Sequence, residues 1–145
     1  MSHKKVLLGY DDSRAAKSAL AFAADLAKAQ NAELVIAHVL EWSPYSFLTP
    51  EEIEARHQRR EDELKRAEDA LLAPVRKSLE GSGITVTTVL KYGHIAETLC
   101  AILKDTGASQ LIIGRTGHSA LSSRLFGSVA GSLAQAAPVP VTIVP

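Results

Sequence analysis

Residues 6–40 read VLLGYDDSRAAKSALAFAADLAKAQNAELVIAHVL, with two apolar runs on either side of an amphipathic one. The first run, at 6–10, ends in two aspartates and a serine, which is typical of a buried strand followed by a helix cap. Alanines and leucines then recur three and four residues apart over 14–30, which predicts a helix. The second run, at 33–40, predicts a strand covered on both faces because it is almost wholly apolar. Such a unit joins two parallel neighbours in one sheet.

The same alternation of strands and helices continues along the chain. Further strands are predicted at 84–91, 110–113 and 138–145, and further helices at 51–79, 93–107 and 128–137. In the helix at 51–79, Pro74 is expected to kink or divide the helix, and charge pairs four residues apart indicate a solvated helix that packs on the sheet. The pattern predicts one α/β domain over residues 1–145, with a parallel sheet and helices on both faces.

The composition limits the class of protein. Of the 145 residues 46% are hydrophobic, and 16 basic residues balance 16 acidic ones, so there is no overall charge to attract nucleic acid or an anionic membrane. The single cysteine, Cys100, lies in an apolar helical pattern and is expected in the core. Without a disulfide pair or a long apolar run, we expect a soluble cytoplasmic protein that binds neither nucleic acid nor membrane.

The predicted topology places a crevice between two polar turns. Parallel sheets bind ligands beyond the carboxyl ends of their strands, at the point where the winding direction reverses. If the first strand is central, that point lies between its end at Asp11 and the end of the fourth strand at Gly114. The two turns then face each other, which makes them the candidate site.

The fourth strand runs into GRTGHSALSSRLFGSV, residues 114–129. Gly114 and Gly117 would let backbone N–H groups approach an anion and would adopt positive φ, as in a concave nest. Gly127 and Ser128 stand at a helix start, where free N–H groups and the helix dipole favour negative charge. This spacing indicates a phosphate cradle, although turn-forming glycines without a ligand are an equal alternative on the spacing alone.

Three basic or titratable side chains, Arg115, His118 and Arg124, lie between the two ends of this stretch. They would add positive charge at the cradle, and His118 is expected to contact an anion rather than to catalyse a reaction. The sequence lacks the other common signatures. There is no GxGxxG in the first turn, no GxxxxGK[ST], and no HExxH, CxxC or GxSxG. Dinucleotide binding, P-loop, metalloprotease, thioredoxin-like and hydrolase chemistries therefore have no support.

Several segments together resemble the universal stress protein family. They are GRTG and GSVA separated by nine residues, APVPVTIVP at 137–145, DDS at 11–13, HVLE at 38–41, YGHIAETL at 92–99 and ASQLIIGRTG at 108–117. The resemblance covers essentially the whole chain and implies the branch of the family that binds ATP. With it, we predict a doubly wound, five-stranded, Rossmann-like sheet of the adenine nucleotide alpha hydrolase-like kind, with strand order 3-2-1-4-5.

The resemblance also implies which residues contact the nucleotide. Asp11 would hold the adenosine end and Val39 the adenine, whereas Ile113 and Gly114 would flank the ribose. The implied phosphate contacts are Gly117, Gly127, Ser128 and Val129. The ligand would be ATP, or ADP or AMP, with Mg2+ bridging phosphate oxygens, and no residue is assigned as a metal ligand or as catalytic.

The chain departs from the family pattern at two positions. Asp12 stands where the family usually has glycine after the strand-one aspartate, and Tyr10 stands where smaller residues are common. If Asp12 points inward, its charge weakens the binding of an anion. If it caps the first helix, which we favour, the charge is harmless.

Other candidate side chains have structural interpretations. His38 lies in an apolar strand and is expected to be a hydrogen-bonded core histidine, and His94 is expected to cap a helix or lie at the surface. The aromatic residues Trp42, Tyr45 and Phe47 would form a lid over an adenine, or would equally well pack over the sheet edge.

The last strand, from Val139 to Val144, contains or follows prolines, which confine a strand to a sheet edge. An apolar edge invites pairing with a second copy, and the resemblance implies the same. We therefore expect a symmetric homodimer through this strand.

The leading functional hypothesis is an ATP-binding regulatory protein whose nucleotide occupancy tunes stability or partner choice. Turnover is expected to be slow or absent, because residues 114–129 contain no lysine for a γ-phosphate and no clear base for water. Two rivals stay open: a weak ATPase or phosphotransferase that uses Asp11 or Asp12 with His118, and a nucleotide-free dimeric interaction module.

Overall fold

Val6, Leu7 and Leu8 have no solvent-exposed surface, because their strand lies between two other strands and is covered on both faces. This strand is β1, Lys5–Gly9, in the computed structural model, which describes residues 4–41, 49–117 and 128–145. The elements that follow are α1 (Arg14–Gln30), β2 (Glu33–Glu41), α2 (Pro50–Ala67), a π-helical turn (Glu68–Leu72), α3 (Ala73–Ser78), β3 (Val86–Gly93), α4 (Ile95–Thr106), β4 (Gln110–Gly114), α5 (Ser128–Ala136) and β5 (Val141–Val144).

The five strands form one parallel sheet in the order β3-β2-β1-β4-β5. This confirms the predicted five-stranded sheet and its order 3-2-1-4-5. The chain moves outward from β1 through β2 to β3, and then returns to the other side of β1 for β4 and β5. The winding direction therefore reverses between β1 and β4, and that position defines where a ligand crevice forms.

The helices cover both faces of the sheet, as predicted, and each face has its own core. On one face α1 presents a stripe of small residues, which lets the helix approach the strands closely: Ala15, Ala16, Ala19, Ala23 and Ala27. On the other face α4 and α5 bury Leu99, Ile102 and Leu133. Cys100 packs half-buried against this second core, in agreement with its predicted structural role.

The helix predicted at 51–79 is divided into α2, the π-helical turn and α3. The N–H of Ala73 bonds to the carbonyl of Glu68 five residues earlier, just before Pro74 at the start of α3. Since proline has no N–H and its ring crowds the preceding turn, the helix widens here rather than continuing regularly. Leu72, in the widened turn, is completely buried.

The charged helix packs on the core through the residues that follow α2, whereas α2 itself is its solvated part. The helix has a well-formed start, with a capping box between Thr49 and Glu52 and Pro50 in its first turn. No residue of α2 is buried, and Ile53 is 49% exposed. Leu72 and Val75, which follow α2, make the contact with the core instead.

The last strand is shorter than the predicted 138–145. β5 covers Val141–Val144, because Pro138 and Pro140 supply no N–H for a ladder, although the carbonyl of Pro140 accepts from Leu111 at 2.9 Å. All four residues of β5 are only half-buried, as befits an edge strand. In the part of the chain that the structure describes, no helix has both the length and the apolar character needed to cross a bilayer.

Candidate nucleotide cleft

A cleft with a cavity volume of about 80 Å³ opens where the winding reverses, beyond the carboxyl ends of β1, β2 and β4. Six of the predicted site residues line it: Asp11, Val39, Ile113, Gly114, Gly117 and Val129. They come from four separate parts of the chain, which the fold brings together. The lining also includes Tyr10 and His38, which the sequence analysis had not assigned to a ligand.

The other predicted site residues lie elsewhere or outside the described residues. The N–H of Arg115 bonds to the carbonyl of Val144 at 2.7 Å, which extends the β4–β5 pairing, and its side chain is exposed. Ser128 is the exposed first residue of α5. His118 and Gly127 lie outside the described residues, as do Arg124 and the three aromatic residues proposed as a lid, Trp42, Tyr45 and Phe47.

The turn between β1 and α1 is built by two short side chains. The carboxylate oxygen Oδ1 of Asp11 accepts a hydrogen bond from the N–H of Ser13 at 3.0 Å. The hydroxyl of Ser13 accepts from the N–H of Ala16 at 3.2 Å, so Ser13 is the N-cap of α1. The expectation that Asp12 caps this helix is therefore wrong, because Ser13 stands at the position from which a side chain reaches the free N–H groups.

Asp12 occupies a backbone conformation that favours glycine. Its φ is 58°, in the left-handed region, where a side chain other than that of glycine, asparagine or aspartate is strongly disfavoured. This left-handed backbone gives a physical reason for the glycine that is usual at this position in the family that the sequence resembles. Asp12 is exposed, so its charge lies at the surface beside the cleft rather than within it.

Ser13 also ties the β4 turn to the start of α1. Its hydroxyl donates to the carbonyl of Thr116 over 3.5 Å while it accepts from Ala16, and the residue is only 6% exposed. The segment that leads to Gly117 is thus held beside Asp11. The Asp-Asp-Ser sequence signals the helix cap, but no local pattern predicts this long-range contact.

Gly114 and Gly117 are needed for close approach and not for positive φ, contrary to the expectation. Neither has a left-handed backbone. A Cβ on Gly114 would lie 2.8 Å from the backbone of Ala15, so glycine lets β4 pass against α1. A Cβ on Gly117 would lie 2.8 Å from Oδ2 of Asp11, so the carboxylate packs directly on this glycine.

Tyr10 is buried at the edge of the cleft and both of its backbone groups are bonded to β2. Its N–H donates to the carbonyl of Ala37 at 2.8 Å, and its carbonyl accepts from Nδ1 of His38 at 2.7 Å. Burial raises the pKa of the Tyr10 phenol, and the nearby charges of Asp12 and Asp11 raise it further. His38 is hydrogen-bonded as predicted, but it is half-buried and lines the cleft rather than the core.

The described residues line the cleft mainly with apolar groups and with one carboxylate, that of Asp11. Among the residues that the structure describes, no three His, Cys, Asp or Glu side chains are close enough to hold a metal ion. His94 is the N-cap residue of α4, and its exposed side chain makes no capping hydrogen bond.

Comparison with known proteins agrees with this architecture. Residues 2–145 match the universal stress protein family. Universal stress protein YxiE of Bacillus subtilis is 29% identical over 153 residues, with 97% of each chain covered. Universal stress protein UspA from Lactobacillus plantarum has a TM-score of 0.84 at 22% identity, and the match covers 100% of this chain and 99% of that chain.

Two further solved structures of similar fold contain adenine nucleotides. A universal stress protein in complex with cAMP has a TM-score of 0.67 at 24% identity, covering 100% of this chain and 98% of that chain. The universal stress protein from Archaeoglobus fulgidus in complex with dAMP has a TM-score of 0.63 at 20% identity, covering 100% of both chains.

Proposed function

This chain belongs to the universal stress protein family, and from that premise we propose that it is a regulatory protein that binds an adenine nucleotide in the cleft between β1 and β4. Nucleotide occupancy tunes its stability or its choice of protein partner. The proposed ligand is ATP, with ADP and AMP as alternatives, and Mg2+ bridges the phosphate oxygens.

The observation that carries this proposal is the meeting of Asp11 and Gly117. These residues follow different strands, yet Oδ2 of Asp11 lies so close to Gly117 that a methyl group would not fit between them. The contact lies in the cleft where the winding reverses, which is where α/β sheets bind ligands. Solved universal stress proteins in complex with cAMP and with dAMP support an adenine nucleotide as the occupant.

The proposed contacts are those that the family resemblance implies for this chain. Val39 is 8% exposed near the end of β2 and offers an apolar surface to the adenine ring, and Ile113 and Gly114 flank the ribose. Asp11 holds the adenosine. The phosphates are assigned to backbone N–H groups and small side chains of the glycine loop and the start of α5, at Gly117, Gly127, Ser128 and Val129. Arg115 and His118 supply positive charge beside them.

We propose a protein that holds its nucleotide rather than one that transfers phosphate rapidly. Residues 114–129 contain no lysine, so the cradle has no point charge of the kind that P-loop enzymes place on the β- and γ-phosphates. We propose further that two copies pair through the edge from Val139 to Val144, where the half-buried residues of β5 would gain cover.

The test is to denature the purified protein and identify the released nucleotides by chromatography. ATP, ADP or AMP should appear in amounts that approach one per chain, and should be lost in Gly117→Val with its folded circular dichroism spectrum retained. Equal release of nucleotide from the wild type and from Gly117→Val would show that the glycine loop does not take part in binding. Steady production of ADP that Asp11→Ala abolishes would favour the ATPase instead.

A further inference from the structure

We propose that His38 is a positioning residue of the nucleotide site: its Nδ1–H holds the Tyr10 carbonyl and thereby places the Asp11 carboxylate beside Gly117. The inference rests on the proposed nucleotide site, to which it adds a residue. His38 does not need to contact the ligand for this role. It acts through the backbone that leads out of β1.

The hydrogen bond fixes which nitrogen of the ring carries the proton. Nδ1 of His38 lies 2.7 Å from the carbonyl oxygen of Tyr10, and a carbonyl oxygen can only accept. Nδ1 must therefore be the donor, and in the neutral ring Nε2 is the unprotonated nitrogen. The tautomer of His38 is thus a direct consequence of the contact and can be measured.

The bond stands where regular pairing between β1 and β2 stops. The last residue pair in their register is Gly9 with Ala37, so the carbonyl of Tyr10 lies beyond the ladder. A backbone carbonyl in a half-buried position needs a donor, because leaving it without one costs the free energy of its lost hydration. The imidazole supplies that donor from the neighbouring strand.

Fixing this carbonyl fixes the position of Asp11. The carbonyl of Tyr10 and the N–H of Asp11 belong to one planar peptide group, so its orientation determines the direction in which the chain leaves β1. From there Asp11 reaches the N–H of Ser13 with Oδ1, at 3.0 Å, and packs Oδ2 against Gly117. If the peptide group rotates, the carboxylate moves away from both partners.

Two variants of similar shape separate the hydrogen bond from simple packing. In His38→Asn the side-chain amide places an N–H close to the position of Nδ1, whereas His38→Leu has the same branching without a donor. By calorimetric titration with ATP and AMP, His38→Asn should bind close to the wild type and His38→Leu about tenfold more weakly, the effect of one lost hydrogen bond. Equal affinities in the two variants overturn the inference.

Nitrogen NMR of the wild type tests the role independently of any ligand. The neutral ring of His38 should carry its proton on Nδ1, and the amide resonances of Asp11 and Gly117 should shift in His38→Leu but not in His38→Asn. A proton on Nε2, or unshifted resonances, overturns the positioning role even if His38→Leu fails to fold. A wild type that binds neither nucleotide but shows the predicted NMR pattern removes the proposed function and leaves the positioning of Asp11 established.

Discussion

Asp11 and Gly117 meet because one has a short carboxylate held by the α1 turn and the other has no side chain at all. Alanine at 117 would place its Cβ 2.8 Å from Oδ2 of Asp11, so the carboxylate has to move. Gly117→Ala should therefore weaken ATP binding by about tenfold, the equivalent of roughly 1.4 kcal/mol. The position is exposed, so the free energy of unfolding should change by less than about 1 kcal/mol.

Gly131 provides the matched control, because a Cβ there meets nothing within 4 Å. Gly131→Ala lies within α5 and should leave ATP affinity unchanged while raising helix stability by about 0.5–1 kcal/mol. Calorimetric titration and urea unfolding measure both quantities. Unchanged affinity in Gly117→Ala would show that the position of Asp11 does not matter to the ligand.

Asp12 combines a left-handed backbone with a negative charge beside a site proposed for an anion. Asp12→Asn keeps a residue that tolerates this backbone and removes the charge, so ATP affinity should rise by a few-fold. Because the carboxylate is exposed, the gain should shrink as salt is added. Calorimetric titration of Asp12→Asn with ATP at two ionic strengths measures this effect. An ATP affinity lower than that of the wild type, or a gain that does not depend on salt, would contradict a purely electrostatic role of Asp12.

At the scale of elements, the π-helical turn inserts the side chain of Leu72 into the core, whereas α2 buries no residue. Leu72 has no exposed surface, whereas Ile53 in α2 is 49% exposed. Leu72→Ala should lower the free energy of unfolding by about 2–5 kcal/mol. Ile53→Ala should change it by no more than about 0.5 kcal/mol. Urea unfolding compares the two, and similar losses would mean that α2 packs more closely than the structure shows.

The C-terminal half of α2 is held to the end of β3 through Tyr92. The phenol donates a hydrogen bond to the carboxylate of Glu63, and the guanidinium of Arg60 lies 5.4 Å from the ring centroid. Burial, and then the bond to Glu63, raises the pKa of Tyr92 from 10.0 to about 12. The folded state thus holds the phenolic proton more tightly than the unfolded chain does.

The contact therefore stabilises the fold fully below pH 10 and loses its effect as the pH rises from 10 to 12. Tyr92→Phe should be less stable than the wild type at neutral pH, and the difference should shrink across this range. Denaturation at a series of pH values measures it. A difference that stays constant to pH 12 would mean that Tyr92 contributes by packing alone.

Element types and their order follow from local patterns, and so they were predictable. The helix at 14–30 was predicted with the bounds that the structure gives to α1, since alanine spacing and the Asp-Asp-Ser signal mark it. The π-helical turn was not predictable, because Pro74 predicts an interruption of the helix but not the geometry of that interruption. The burial of Leu72 depends on that accommodation.

At the scale of the whole molecule, the sequence predicted which strands end side by side, but not how the side chains beyond those ends make contact. Alternating apolar strands and crossover helices require a parallel sheet, and a central first strand brings Asp11 close to Gly114. The packing of Asp11 on Gly117 and the bond of His38 to Tyr10 join residues that are distant in the chain. Periodicity carries no information on such contacts, so they emerge only from the folded structure.

The central claim is that the cleft between β1 and β4 binds an adenine nucleotide, and calorimetric titration of the purified protein with ATP and Mg2+ tests it most directly. We predict a saturable heat signal with one nucleotide per chain, weakened in Gly117→Ala and unchanged in Gly131→Ala. No heat at millimolar ATP, from protein that also releases no nucleotide on denaturation, would contradict the claim.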